Sequence, residues 1–94
     1  MKAPVGLASP MVLVGPYREL LNAPATVWLP YRAGVVDPAK LMPMIFNDLT
    51  GRFEVVLPVP GGAAPRVDLE RKRVGFDVQA LGVFALVVRA TNPR

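Results

Sequence analysis

Asp68 and Glu70 stand two residues apart. On an extended strand such positions share a face and lie about 6.5–7 Å apart along the chain, near the separation at which glycosidases hold their paired acids. A carbohydrate-active enzyme is therefore the one catalytic reading that the residues offer. The plainer reading is a solvated pair on a hairpin arm, because nothing in the surrounding sequence supplies a deep cleft. Other routes are closed by composition. The chain has no histidine and no cysteine, which removes imidazole bases, thiolate nucleophiles, disulfides and nearly all zinc or iron ligand sets. Gly61-Gly62 is followed by neither a helix nor a phosphate-loop lysine, so it reads as a flexible loop with no phosphate to cradle. No cofactor and no metal are expected.

What remains is binding chemistry. Arg66, Arg71, Lys72 and Arg73, together with Arg52, form the densest positive charge, and such a cluster can meet phosphates or an acidic protein surface. It can equally be a solvated hairpin tip whose charges protect a sheet edge. Single-strand binders interleave stacking aromatics with their cations, and only Phe76 lies near this cluster in sequence. Trp28 is either covered by a second layer or exposed with Tyr31 as an aromatic anchor for a partner. Met42 and Met44 can form a soft, adaptable edge against another chain, with core packing as the ordinary alternative.

These residues must be positioned by short strands. Eleven prolines and eight glycines are spread through 94 residues, and each proline removes a backbone donor, so no long helix fits between them. Hydrophobic residues make up 52% of the chain and charged ones 19%, a composition with enough apolar material for one core. Residues 11–14 and 17–21 read as strands, with a turn of helix as the alternative for 17–21. Residues 25–29 alternate, with Ala25, Val27 and Leu29 on one face and Thr26 and Trp28 on the other. Asp37 followed by Pro38 suits a helix N-cap and first position, starting one helical turn through Lys40.

Residues 41–46 and 52–57 flank Asn47-Asp48-Leu49-Thr50-Gly51, a hairpin loop by its turn formers. Pro43 inside the first arm argues for an edge strand, since a central strand loses a ladder bond there. Residues 58–65 are a Pro/Gly/Ala loop. Residues 67–69 and 74–78 make a second hairpin about Glu70-Arg71-Lys72, and 83–88, apolar on both faces, reads as the central strand. The expected fold is a small antiparallel β-sandwich, all-β, in a single domain over 1–94.

Taken in order, the landmarks resemble the ZU-type domain shared by zona-occludens proteins, the uncoordinated-type netrin receptors and ankyrins. Ser9-Pro10, Gly15-Pro16, Leu20, Pro24, Val27 and Leu29-Pro30 are similar to that family's Ser-Pro strand, Gly-Pro turn and Pro-x-x-Val-x-Leu-Pro strand. Residues 48–53 resemble its acidic-x-x-Gly-x-aromatic hairpin, and residues 81–87 its closing Leu-Gly-x-aromatic-Ala-Leu-Val strand. The resemblance covers 9–88, with 1–8 as an N-terminal arm and 89–94 as a tail. It lacks the family's opening strands, which implies an open sheet edge and uncovered apolar surface that invite another chain. Self-cleaving relatives carry His-Phe-Ser before the closing strand. Here Ala80, Leu81 and Gly82 stand there, which implies the non-cleaving, scaffolding branch.

The expectation is a non-enzymatic protein-interaction or structural module that works through sheet-edge pairing or self-association, with a homodimer foreseen. A small basic nucleic-acid-binding β-protein is the alternative, motivated by the net charge of +4. No signal peptide is read, since Pro4 and Pro10 interrupt the first apolar run. No stretch approaches the roughly 18–20 apolar residues of a membrane-spanning helix, and a soluble chain is expected.

Overall fold

Proline and glycine spacing leaves room for strands and little else. The computed structural model describes residues 4, 6–15 and 20–88, and within them seven strands and one helical turn form. They are β1 (Val12–Leu13), β2 (Leu20–Pro30), a turn of 3₁₀ helix at Pro38–Lys40, β3 (Leu41–Asn47), β4 (Arg52–Val55), β5 (Arg66–Asp68), β6 (Arg73–Ala80) and β7 (Val83–Val88). All pairings are antiparallel. A four-stranded sheet runs β1-β7-β3-β4 and a three-stranded sheet runs β2-β6-β5. The fold is all-β, a small two-sheet sandwich.

Its core is made by alternation. Val27, Leu29, Val74, Phe76 and Val78 face inward from the three-stranded sheet, and Leu41, Phe84 and Leu86 from the four-stranded one. The Phe76 and Phe84 rings meet across the sandwich at 5.5 Å and 60°, a tilted geometry that aromatic quadrupoles favour. Each such buried side chain contributes about 1.5–3 kcal/mol of transfer free energy. β7 lies between β1 and β3, so its residues 83–87 are buried on both faces, as their unbroken apolar run implies.

Several sequence expectations are corrected. Pro43 lies on β3, which is flanked on both sides, and not on an edge. The ladder tolerates it because the missing N–H faces β4 just beyond that strand's end. Val56 N–H donates to Pro43 O at 3.0 Å, and the reciprocal bond cannot form. This one-sided pair stops β4 at Val55, two residues short of the expected arm. β2 is longer than 25–29 and passes through Pro24, where its register against β6 shifts between Leu20 and Ala25. The expected strand over 17–21 lies partly outside the described residues, and its last two positions belong to β2. Asp37 makes no side-chain cap bond. The turn closes through Lys40 N–H to Asp37 O at 3.1 Å, leaving the carboxylate 3.9 Å from Lys40 Nζ.

The segment before β1 is not a loose arm where it is described. Leu7 bridges Val87, Ala8 N–H donates to Leu86 O, and Val88 N–H donates to Gly6 O. Gly6 is at φ +78°, and a Cβ there would stand 2.9 Å from Val88 O, so only glycine lets the chain approach this closely. Ser9 is fully buried. Its Oγ accepts the Leu86 N–H at 2.8 Å and donates to Pro10 O at 2.8 Å, filling the ladder position that the bulged backbone vacates.

Candidate interaction surface

Each sheet has an outer face, and the two differ in kind. On the three-stranded sheet the outward positions are Thr26, Trp28 and Pro30 on β2, Arg73, Gly75 and Asp77 on β6, and Arg66 and Asp68 on β5, as the register dictates. Trp28 lies over Gly75, whose missing side chain makes the space. The Arg73 guanidinium sits 4.4 Å and that of Arg66 5.5 Å from the indole centroid, within cation–π range. Trp28 stays 37% exposed. Tyr31 has the opposite parity and packs against the core, so the two do not form a joint anchor.

Three cations of the basic cluster are paired, with two of them sharing one aspartate. Arg66 reaches Asp77 at 3.0 Å and Thr26 Oγ1 at 2.9 Å, while Thr26 Oγ1 also donates to Asp77 at 2.7 Å. The Ala63 N–H donates to the other Asp77 oxygen at 2.7 Å. That backbone bond, then Thr26 and Arg66, hold the Asp77 carboxyl down to about 2. Asp68 takes the Arg71 N–H at 3.1 Å and the Arg73 Nε at 3.1 Å, with Arg71 Nη1 at 3.9 Å. The Arg71 backbone bond leads in lowering its pKa. Lys72 turns the chain at φ +53°, with its carbonyl accepting from Tyr31 N–H at 3.1 Å. Arg52 opens β4 in the other sheet and is not part of this network. Glu70 lies in the β5–β6 turn and not on β5, so the shared strand face proposed for Asp68 and Glu70 does not exist. Asp68 spans that turn as an acceptor.

The outer face of the four-stranded sheet carries no charge among the described residues. Register places Leu13 opposite Val83, Met42 opposite Val87, and Met44 between Ala85 and Val55. Phe46 stands opposite Phe53 with ring centroids 5.3 Å apart. Val83, Ala85 and Val87 are buried, whereas Leu13 and Val55 remain 60% and 46% exposed. Met42 and Met44 are half-buried on this face, on an inner strand and not on the edge that Pro43 suggests. The Phe46–Phe53 pair went unnoticed in the sequence, although the alternation of 42, 44 and 46 with 53 and 55 contains it.

An open cleft of about 540 Å³ lies between the sheets, lined by Leu20, Ile45, Glu54, Val56, Gln79 and Phe84 among others. No helix among the described residues is long and apolar enough to cross a membrane. Compared with protein-family models, curated protein sequences and solved structures, the chain matches none.

Proposed function

We propose that this chain is a non-catalytic interaction or structural module that associates through the outer face of its four-stranded sheet, with another copy of itself as the first partner. The observation that carries this reading is the uncharged face of Leu13, Met42, Met44, Phe46, Phe53 and Val55 over Ala85 and Val87. Leu13 and Val55 are exposed on this face, with Met42, Met44, Phe46 and Phe53 half-buried between them, and apolar surface left accessible on a small domain typically marks a contact site. The resemblance of residues 9–88 to the non-cleaving ZU-type domain, with Ala80, Leu81 and Gly82 in place of a cleavage triplet, supports the same reading. Nucleic-acid binding loses ground, because Arg66, Arg71 and Arg73 each already have an aspartate within ion-pair distance.

Light scattering across micromolar concentrations tests the proposal. The wild-type chain shows a mass that rises with concentration, and Met44→Lys, which plants a charge in the middle of the face, returns it to monomer with an unchanged circular dichroism spectrum. A wild-type mass fixed at the monomer throughout defeats the proposal.

A further inference from the structure

The edge of the four-stranded sheet adds a register to that self-association. Val56 N–H bonds Pro43 O, so in the alternating antiparallel ladder the pairs Ile45–Glu54 and Asn47–Arg52 are bonded, and Met44–Val55 and Phe46–Phe53 are not. The N–H and C=O groups of Phe53 and Val55 therefore point away from β3, off the free side of the sheet. No proline guards β4, since the nearest beyond it is Pro58. Phe53 and Val55 share the apolar outer face, while Arg52 and Glu54 point to the face of Ile45 and Asn47. Among the described residues the Arg52 side chain makes no hydrogen bond or ion pair. The Glu54 side chain accepts a 3.1 Å bond from Asn47 Nδ2.

We infer that two copies of this chain pair antiparallel along β4, with Phe53 opposite Phe53 of the second copy and Arg52 opposite Glu54 of the second copy. The inference rests on the self-association proposed above and supplies its geometry. Of the two registers that bring outward-pointing backbone groups together near the strand's centre, one sets Phe53 against itself. The other sets Glu54 against itself. Like charges directly opposite destabilise a sheet pair and opposite charges stabilise it, so the first register is selected. It forms two Arg–Glu pairs on one face and joins the two Phe46–Phe53 contacts into a single aromatic row on the other. The two four-stranded sheets become one continuous sheet with a doubled apolar face.

Charge exchange tests this without touching the core. Arg52→Glu places four carboxylates along the seam and raises the self-association Kd at least about tenfold. Glu54→Arg does the same, and the double exchange R52E/E54R restores the wild-type value. A second measurement uses the absence of native cysteine. In a bonded antiparallel pair the Cα atoms are about 5.5 Å apart, within disulfide reach, so Phe53→Cys is trapped as a covalent dimer on oxidation. Val55→Cys, displaced four residues from its counterpart, is not. Single exchanges that leave Kd unchanged, with Phe53→Cys oxidising no faster than Val55→Cys, overturn the β4 pairing. If the wild-type chain still associates in that case and Met44→Lys still abolishes it, the interaction-module reading stands by the face alone. A monomeric wild-type chain with no trapping overturns both.

Discussion

Gly75→Ala is a one-carbon change whose sign is set by Trp28. In most strand interiors the substitution is favourable by about 0.5–1 kcal/mol, because glycine loses more backbone entropy on folding. Here the added Cβ would stand 2.7–2.8 Å from three atoms of the indole ring, well inside ordinary contact, and the ring must lift. Lifting it loosens the contacts with Arg73 at 4.4 Å and Arg66 at 5.5 Å, worth about 0.5–1 kcal/mol each at a half-exposed site. Overpacking of this kind costs about 1–3 kcal/mol. Set against the entropic gain, the net is a loss of about 1–2 kcal/mol, or about 5–10 °C in Tm for a domain of this size. Denaturant unfolding of Gly75→Ala, alone and in a Trp28→Ala background, measures it, and the emission of the sole tryptophan reports the lifted ring directly. In the Trp28→Ala background the same substitution should become neutral or stabilising. An equal cost in both backgrounds refutes the reasoning, because the strain would then lie somewhere other than beneath the indole.

Ser9→Ala leaves the buried Leu86 N–H without its 2.8 Å acceptor, and a loss of about 1–3 kcal/mol is expected in urea unfolding. Phe84→Ala removes a fully buried ring at about 3–5 kcal/mol, a large share of the about 5–15 kcal/mol that holds such a domain; a shift of the urea midpoint smaller than that of Ser9→Ala would contradict the placement of the core. Asp77 titrates at about 2 when folded against 3.8 otherwise. The unfolded state thus binds the proton more readily, and the stability due to this carboxylate is full above pH about 4 and fades as pH falls toward 2. Asp77→Asn should be less stable at pH 7 and should flatten that part of the acid-unfolding curve. Filter binding to single-stranded nucleic acid in about 50 mM salt should detect nothing, given the aspartates beside Arg66, Arg71 and Arg73.

Strand positions were legible where two signals agreed. Residues 83–88 are apolar at every position, and their place between β1 and β3 follows from needing cover on both faces. The 47–51 turn announces itself through Asn47, whose side chain accepts the Leu49 N–H at 2.9 Å, and through Gly51 at φ +73°. Prolines misled in both directions. Pro24 stands just before the expected strand over 25–29, yet a register shift carries it inside β2. Pro43 was read as an edge mark, yet its missing donor falls just past the end of β4. The first outcome depends on a register shift against β6 and the second on where β4 stops, and no local pattern encodes either. The Arg66–Asp77 and Arg66–Thr26 contacts were equally out of reach, because they join residues 11 and 40 positions apart. A charge cluster counted along the chain therefore looked freer than it is.

The same proline logic separates the edges of the two sheets. The Tyr31 N–H to Lys72 O bond sets the phase of the β2–β6 ladder, so Thr26, Trp28 and Pro30 turn their backbone groups to the free side of β2. Pro30 offers no donor there, and Pro24 breaks the strand from within. β1 is two residues long and β5 three, too short to template a neighbour well, and β5 ends in the Asp68 turn. Short strands, bulges and imino acids are the devices by which sheet proteins blunt their edges, and three of the four edges carry at least one. β4 has neither proline nor bulge, and it carries Phe53 and Val55 of the apolar outer face. Its protection is the two charges of Arg52 and Glu54, which repel an identical strand in one register and attract it in the next. On the proposed β4 pairing, an edge shielded in this way is closed to indiscriminate pairing and open to its own copy in one alignment.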